Sequence, residues 1–251
     1  GFHAGLRLHL VEGSPVLRDA QARRLADATP SWHDSADTLP DMPLFLVANE
    51  FFDALPIRQF ERAGEGWRER VVGMAGDALA LGLGPESARP ELDHRLADTR
   101  DGDIVETCAP GTVIAAEVGA RIAEAGGAAL IVDYGDWRSL GDTFQAVSGH
   151  ATADPLAAPG CADLTAHVDF EALAEAAAPA EHTGLCPQGI LLSRLGIDAR
   201  AEALAAGLSG AALENHRAAY HRLTDAEEMG TLFKVLGLVP PGAAPPPGLE
   251  P

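Results

Sequence analysis

Basic side chains are scarce in this chain: Lys and Arg number 18 against 37 Asp and Glu, a formal net charge of −19 over 251 residues. A protein that grips nucleic acid needs a basic patch to neutralise phosphates, so the balance argues against that partner. The acidity reads first as a well-solvated surface and only second as an attraction for basic substrates. Long apolar runs are missing too, none approaching the roughly 18 residues of a membrane span. Cysteine is sparse. Cys108, Cys161 and Cys186 lie far apart and form no CxxC or Cys/His cluster, which reads as thiols of a reducing compartment, neither disulfides nor zinc ligands. No signal or transit segment is visible, and no internal repeat. Nucleophile elbow, Walker loop, HExxH, dinucleotide fingerprint and metal-ligand spacing are all absent, so no metal is expected.

What the chain does have is apolar bulk. Hydrophobic residues make up 47% of it, enough for the core of one large α/β domain. The densest signal is Leu44–Phe60, LFLVANEFFDALPIRQF. Five apolar residues run without a break into Asn49 and Glu50, and Asp53 and Pro56 follow. Such a run reads as a strand buried on both faces, as in a parallel sheet covered by helices. Ligands of open α/β sheets bind beyond the carboxyl ends of their strands, which is where Asn49, Glu50 and Asp53 fall. A carboxylate pair there suits a cationic amine or guanidinium. The plainer alternative is a turn capped by Asn and Asp, with Glu50 in a structural ion pair.

Around this segment, strands and helices alternate. Leu6–Glu12 reads as a strand ending in an acid. Ser14 caps a helix that Pro15 opens and that runs to about Ala26. Ser31–His33 is a very short strand, and 57–83 is a β-rich insertion made of Ile57–Phe60, Trp67–Met74 and Leu79–Leu83. Ile104–Thr107 is a further short strand, Gly111–Ala125 an Ala-rich helix, and Ala128–Asp133 a second buried strand followed by Tyr134 and Gly135. A long loop spans 140–170. Helices are expected at 171–178, 188–206 and 209–222, then a last strand at Phe233–Val239 and a disordered Pro-rich tail over 240–251. The alternation predicts a doubly wound, Rossmann-like α/β sheet.

Acids at strand ends supply further candidates. Glu12 is placed to accept hydrogen bonds from ribose hydroxyls, and equally to cap the helix that follows. Trp32, His33 and Asp34 suit an adenine pocket about as well as they suit a core Trp beside surface polar groups. Asp133 and Tyr134 are either a crevice wall or a helix cap. His150 and His167 lie in the long loop, where each reads first as a structural hydrogen-bonding residue.

The order of HLVEGSPVLRDAQ, LVANEFFDALPIRQF, GWRERVV, LIVDYG, GDTFQAVSGH, DPLAAPG, DLTAHVDF and MGTLFKVL resembles the MidA family up to about Val239. These are S-adenosylmethionine-dependent methyltransferases whose eukaryotic members are mitochondrial protein arginine methyltransferases needed for respiratory complex I assembly. The resemblance implies a Rossmann-like methyltransferase domain over 1–239, with a β-rich insertion and a C-terminal helical elaboration. It implies S-adenosyl-L-methionine as cofactor and a protein arginine as partner. Glu12, Trp32, His33, Asp34 and Asn49 would face the cofactor, and Asn49, Glu50 and Asp53 would be catalytic. Asp133, Tyr134, Gln145 and His150 would face the substrate. The family's Gly-rich cofactor loop has no counterpart in these 251 residues, and the chain begins just before the family's second core strand, so an upstream segment is expected. A non-catalytic binding or assembly module that lacks the cofactor loop is the competing reading. A nicotinamide-dependent dehydrogenase is disfavoured, for want of a dinucleotide fingerprint. The Ala- and Gly-rich composition points to a bacterial cytoplasmic protein, and nothing in the sequence sets an oligomeric state.

Overall fold

The structure, a computed structural model, describes residues 5–149 and 151–250. Strand β1 (His9–Val11) leads into helix α1 (Pro15–Arg24), capped as expected by Ser14, whose hydroxyl accepts from the Leu17 amide. Strand β2 (Ser31–His33) pairs in parallel with β1 through His9↔Ser31 and Val11↔His33. These two strands form a sheet of their own.

Strand β3 (Leu44–Asn49) is followed by an antiparallel excursion: β4 (Arg58–Ala63), β5 (Gly66–Ala75), β6 (Ala78–Ser87) and β7 (Ile104–Thr107), in spatial order β6-β5-β4-β7. The insertion is therefore larger than 57–83, because the short strand Ile104–Thr107 is its fourth member, paired to β4 from Arg58↔Thr107 to Glu61↔Ile104. It has its own apolar centre in Phe60, Trp67, Leu92 and Val105, all nearly sealed from solvent.

Helix α2 (Ala109–Ala125) then carries the chain to β8 (Gly127–Asp136), which pairs in parallel with β3 from Leu44↔Gly127 to Asn49↔Val132. The long loop contains a small antiparallel sheet, β9 (Gln145–Ser148) between β10 (Ala151–Ala153) and β11 (Asp163–Thr165). Strand β12 (Val168–Asp169) then joins β8 in parallel at Val168↔Gly135. This crossing explains the glycine of the DYG triplet. Gly135 has φ +155°, and a Cβ there would lie 2.1 Å from the Val168 carbonyl oxygen, so no side chain fits.

Beyond it come α3 (Phe170–Ala176), β13 (Glu181–His182), β14 (Cys186–Pro187), α4 (Gln188–Arg194), α5 (Ile197–Ala205), α6 (Gly210–Thr224), α7 (Met229–Leu232) and β15 (Phe233–Val239). The single helix expected over 188–206 is two helices, broken at Gly196, which takes φ 85°. Strand β15 runs antiparallel to β8, from Phe233↔Tyr134 to Leu238↔Ala129.

Helices pack on both faces of β8 and β15. One face meets α2 and α3 through Ala129, Ile131, Leu236 and Leu238; on the other, Leu130 and Val132 meet Leu191 of α4 and Leu249. Residues 240–250 are thus docked, contrary to the disordered tail expected from their composition. The turn-forming Pro and Gly residues lay Leu249 into that cluster at 5% exposure, and Arg194 donates to the carbonyls of Gly248 and Glu250. Strand β3 differs from its expectation too. Leu44, Leu46 and Ala48 pack on the core, but Phe45 and Val47 are 76% and 70% exposed because nothing described covers their face. Among the described residues, no helix is long and apolar enough to cross a membrane.

Candidate functional site

The end of β3 is organised around a buried carboxylate of β8, that of Asp133. Three consecutive backbone N–H groups, of Phe51, Phe52 and Asp53, donate to Asp133 Oδ2 at 3.2, 3.1 and 3.3 Å. Its other oxygen accepts from the Tyr134 amide at 3.0 Å. The turn forms a nest of amides that elsewhere would cradle an anion, and here the anion is the chain's own. Burial pushes the Asp133 carboxyl up to about 7, and the neighbouring Asp53 adds to the rise, while the amide hydrogen bonds oppose it. Fully buried, Asp133 faces the turn and not an open crevice. Its place is therefore behind the site, where the sequence reading had it forming a substrate wall.

That nest fixes the residues in front of it. Glu50 donates its amide to the Val132 carbonyl at 3.0 Å, extending the β3–β8 ladder by one step, and then takes φ 49°. A non-glycine residue in the left-handed region costs on the order of 1 kcal/mol and persists only where its surroundings impose it. The Glu50 side chain is left exposed, its Oε1 accepting from Asn49 Nδ2 at 3.1 Å. Asp53 is 5% exposed; its carbonyl accepts from the Ala166 amide, and its carboxylate Oδ1 is buried without a partner among the described residues. An orphaned buried acceptor at the end of a sheet strand is an unusual expense in a turn with no further task. Asn49, Glu50, Asp53 and Asp133 are thus one cluster.

Tyr134 and His167 stand beside it. Their rings meet edge to face at 5.4 Å, and Tyr134 makes a second such contact with Phe233 at 5.5 Å. Burial chiefly, and then Asp53, push the Tyr134 phenol up, so it stays protonated at any physiological pH. Burial lowers His167, favouring the neutral ring. Gln145 opens β9 opposite Thr165, half-buried. His150 lies outside the described residues.

The GDT segment before Gln145 acts as a staple between the loop and the excursion. Asp142 accepts from Gln59 at 2.8 Å and from Arg70 at 2.6 Å. Thr143 donates through both its amide and its hydroxyl to Glu106. Glu106, 5% exposed, also accepts from Gln59 at 2.7 Å. Sequence reasoning passed over Glu106 and Gln59, and over Arg95. Arg95 is 1% exposed and bonds Asp98, Asp169 and the Ser139 carbonyl. Glu106 carried one signal, a charge within the otherwise apolar Ile104–Thr107, whereas Gln59 and Arg95 stand among other polar residues, in IRQFER and ELDHRLADTR, and carried none. The staple bounds a cavity of about 580 Å³ beside the turn, lined by Phe52, Phe60, Leu92, Cys108, His167 and Leu173.

The second group lies at the ends of β1 and β2. Glu12 accepts from the Ser14 amide at 2.8 Å and from Gln21 Nε2 at 3.1 Å, and Gln21 in turn accepts from the Trp32 indole at 2.9 Å. His33 bonds His9 at 2.8 Å and Thr38 at 2.9 Å, and Asp34 pairs with Arg18. The structure brings Glu12, Trp32, His33 and Asp34 together as one patch. Arg121 of α2 ties the following segment to the body through the Asp37 and Leu39 carbonyls.

An open α/β sheet with acids at its strand ends belongs to the class of proteins that bind their ligand beyond those ends. The family model of S-adenosyl-L-methionine-dependent methyltransferases matches residues 1–189, and the chain belongs to that family. It is 35% identical over 259 residues to the mitochondrial protein arginine methyltransferase NDUFAF7 of Danio rerio, which covers 94% of this chain and 61% of the relative. With the Homo sapiens protein of the same name the identity is 35% over 233 residues, 91% of this chain and 52% of the relative. A Burkholderia thailandensis structure solved with S-adenosyl-homocysteine bound superposes with a TM-score of 0.76 at 28% identity, over 98% of this chain and 65% of that one. The chain thus spans about three fifths of the length of the first of these curated relatives.

Proposed function

We propose that the chain carries the acceptor side and the adenosine side of a protein arginine N-methyltransferase. The observation that carries this reading is the exposed Glu50 carboxylate, held in a left-handed backbone over a buried carboxylate beside the Asn49 amide. A guanidinium pairs with a carboxylate in two parallel hydrogen bonds, which fixes its plane as well as its charge. Methyl transfer to nitrogen asks mainly for alignment, exclusion of water and dispersal of the acceptor's positive charge. In this reading Glu50 orients the guanidinium, Asn49 holds the carboxylate in place, and Asp53 adds negative charge behind them. Tyr134 and Gln145 flank the incoming side chain. The surplus of acids favours a basic protein partner.

The donor set fits the adenosine part of S-adenosylmethionine, which when bound supplies an electrophilic methyl on sulfur. Glu12 is a strand-end carboxylate suited to ribose hydroxyls. Trp32 and Asp34 offer an apolar ring and an acceptor for adenine, and the His33 ring, its nitrogens bonded to His9 and Thr38, a second flat surface. Composition supports a bacterial cytoplasm as the place of action, whereas the eukaryotic relatives are named as mitochondrial.

The test is Glu50→Gln, assayed by methyl transfer to arginine-containing protein and by calorimetric titration with S-adenosylmethionine. Turnover should fall by about 100-fold or more, the scale of removing one electrostatic stabiliser, with cofactor affinity nearly unchanged. A fully active Glu50→Gln enzyme would defeat the assignment.

A further inference from the structure

The β5–β6 hairpin extends from the excursion as an arm whose free edge matches itself. Directly opposed residues share a face, and the register pairs Val72↔Leu81, Met74↔Leu79 and Arg70↔Leu83. One face therefore presents Val72, Met74, Leu79, Leu81 and Leu83, exposed by 54%, 66%, 37%, 40% and 45%. The other face carries Val71, opposite Gly82, and otherwise only small residues: Gly73, Ala75, Ala78 and Ala80. Strand β6 ends the sheet order, so its outer edge is unpaired among the described residues. Edge strands are ordinarily guarded by Lys or other charges. Residues 78–85 carry none, and Pro85 closes the stretch.

We propose that this edge joins the same edge of a second copy, antiparallel across a twofold axis at Leu81, making the two four-stranded excursions one continuous sheet. The sequence ALALGLG is symmetric in the sense this requires. With Leu81 opposite its twin, Leu79 meets the partner's Leu83, and Ala80 meets the partner's Gly82. Large residues fall on one face and small ones on the other in both copies. A twofold contact has to be self-complementary in this way. Charge selects the same occupant: at a net −19 the bodies repel one another, and an uncharged arm is where two copies can approach. An arginine-bearing partner would find no carboxylate along residues 78–85 of this edge. Pairing satisfies the free backbone groups and covers part of each leucine, but stays short of the roughly 800 Å² per partner of a standard interface. The dimer is accordingly one of micromolar strength. It stands independently of the catalytic reading, since none of residues 71–84 belongs to the site.

Sedimentation of the full chain between about 1 and 100 μM should show the mass climbing from 26.1 kDa toward twice that value. Leu81→Asp sets two like charges opposite each other and should hold the chain monomeric throughout. Its unfolding constant should rise no more than about fivefold, a loss of stability of about 1 kcal/mol, since the side chain is part-exposed. Register is read by oxidative cross-linking in a Cys161→Ser background. Leu81→Cys should link to its twin, whereas Met74→Cys, three strand spacings across and four residues along from its own twin, or roughly 20 Å, should not. A monomer at every concentration, a dimer indifferent to Leu81→Asp, or Met74→Cys linking as readily as Leu81→Cys each overturns the proposal.

Discussion

At the end of β3 the turn rests on a buried carboxylate held by backbone, with Asn49 and Glu50 exposed in front of it, whereas at the ends of β1 and β2 the polar groups are half-buried or exposed and held by one another. Asp133 takes four amide donors and has no contact with solvent. Glu12 takes one amide and one side-chain amide, and Asp34 has only the Arg18 pair, with its side chain 88% exposed. The first arrangement holds Glu50 in one place before any ligand arrives. The second leaves donors and acceptors whose partners can be exchanged for those of a ligand at little cost. A guanidinium must be aligned to react, while an adenosine need only be held, and the contrast follows that division of labour.

The largest effect that tests the contrast is Asp133→Ala. It leaves four amides without an acceptor, those of Phe52 and Asp53 buried, each buried one a loss of about 1–3 kcal/mol before water enters the gap. Urea unfolding should show a loss of roughly 3 kcal/mol or more. Asp133→Asn, which keeps one acceptor oxygen, should recover about half. A loss below about 1 kcal/mol for the alanine variant would mean that the turn holds its shape without the nest.

Next in size is Glu50→Gly. Glycine adopts φ 49° without penalty, so the variant should gain on the order of 1 kcal/mol of stability while losing nearly all turnover. Stability gained with activity lost is the signature of strain kept for function. A destabilised variant would show that the left-handed backbone at Glu50 is no strain at all.

Acidity sharpens the contrast further. The Asp133 carboxyl sits at about 7 in the folded chain against an ordinary 3.8, chiefly through burial. Between those values the folded state holds a proton that the unfolded state has lost, so this group's contribution to stability declines as pH rises through the window and is level above it. Asp133→Asn removes that slope. The difference in stability between variant and wild type should therefore shift in the variant's favour from about pH 4 to pH 7, then stay constant. A difference independent of pH would place the Asp133 proton elsewhere.

Much of this was legible in the residues. The Leu44–Asn49 run, the Ser14–Pro15 helix start and the Phe233–Val239 strand are local signals, and the chain obeys them. The cluster of Asn49, Glu50 and Asp53 also followed from strand-end logic. What could not be read was long-range. Asp133 and the turn it holds are about 80 residues apart in sequence, and the same separation hides Asp142 from Gln59. Burial on one face only of β3, and docking of the tail on Leu191, depend on what packs where and not on local composition. The excursion gained its fourth strand for the same reason, because IVET is short and ambiguous until β4 lies beside it.

The smallest expected effects belong to the exposed half, and there the comparison is between two acids. Glu12→Ala removes the acceptor of the Ser14 amide and frees Gln21, which in turn holds the Trp32 indole. The loss of stability should be near 1 kcal/mol, typical of a helix-start acceptor. Asp34→Ala breaks an exposed ion pair with Arg18 and should change stability by less than about 0.5 kcal/mol. If the patch holds adenosine, calorimetry with S-adenosylmethionine should separate the two more widely than unfolding does. Glu12→Ala would lower affinity by about tenfold or more, the scale of a charge-assisted hydrogen bond, and Asp34→Ala by only a few-fold. Equal and negligible changes in affinity would return Glu12 to a helix cap and leave the patch without a ligand.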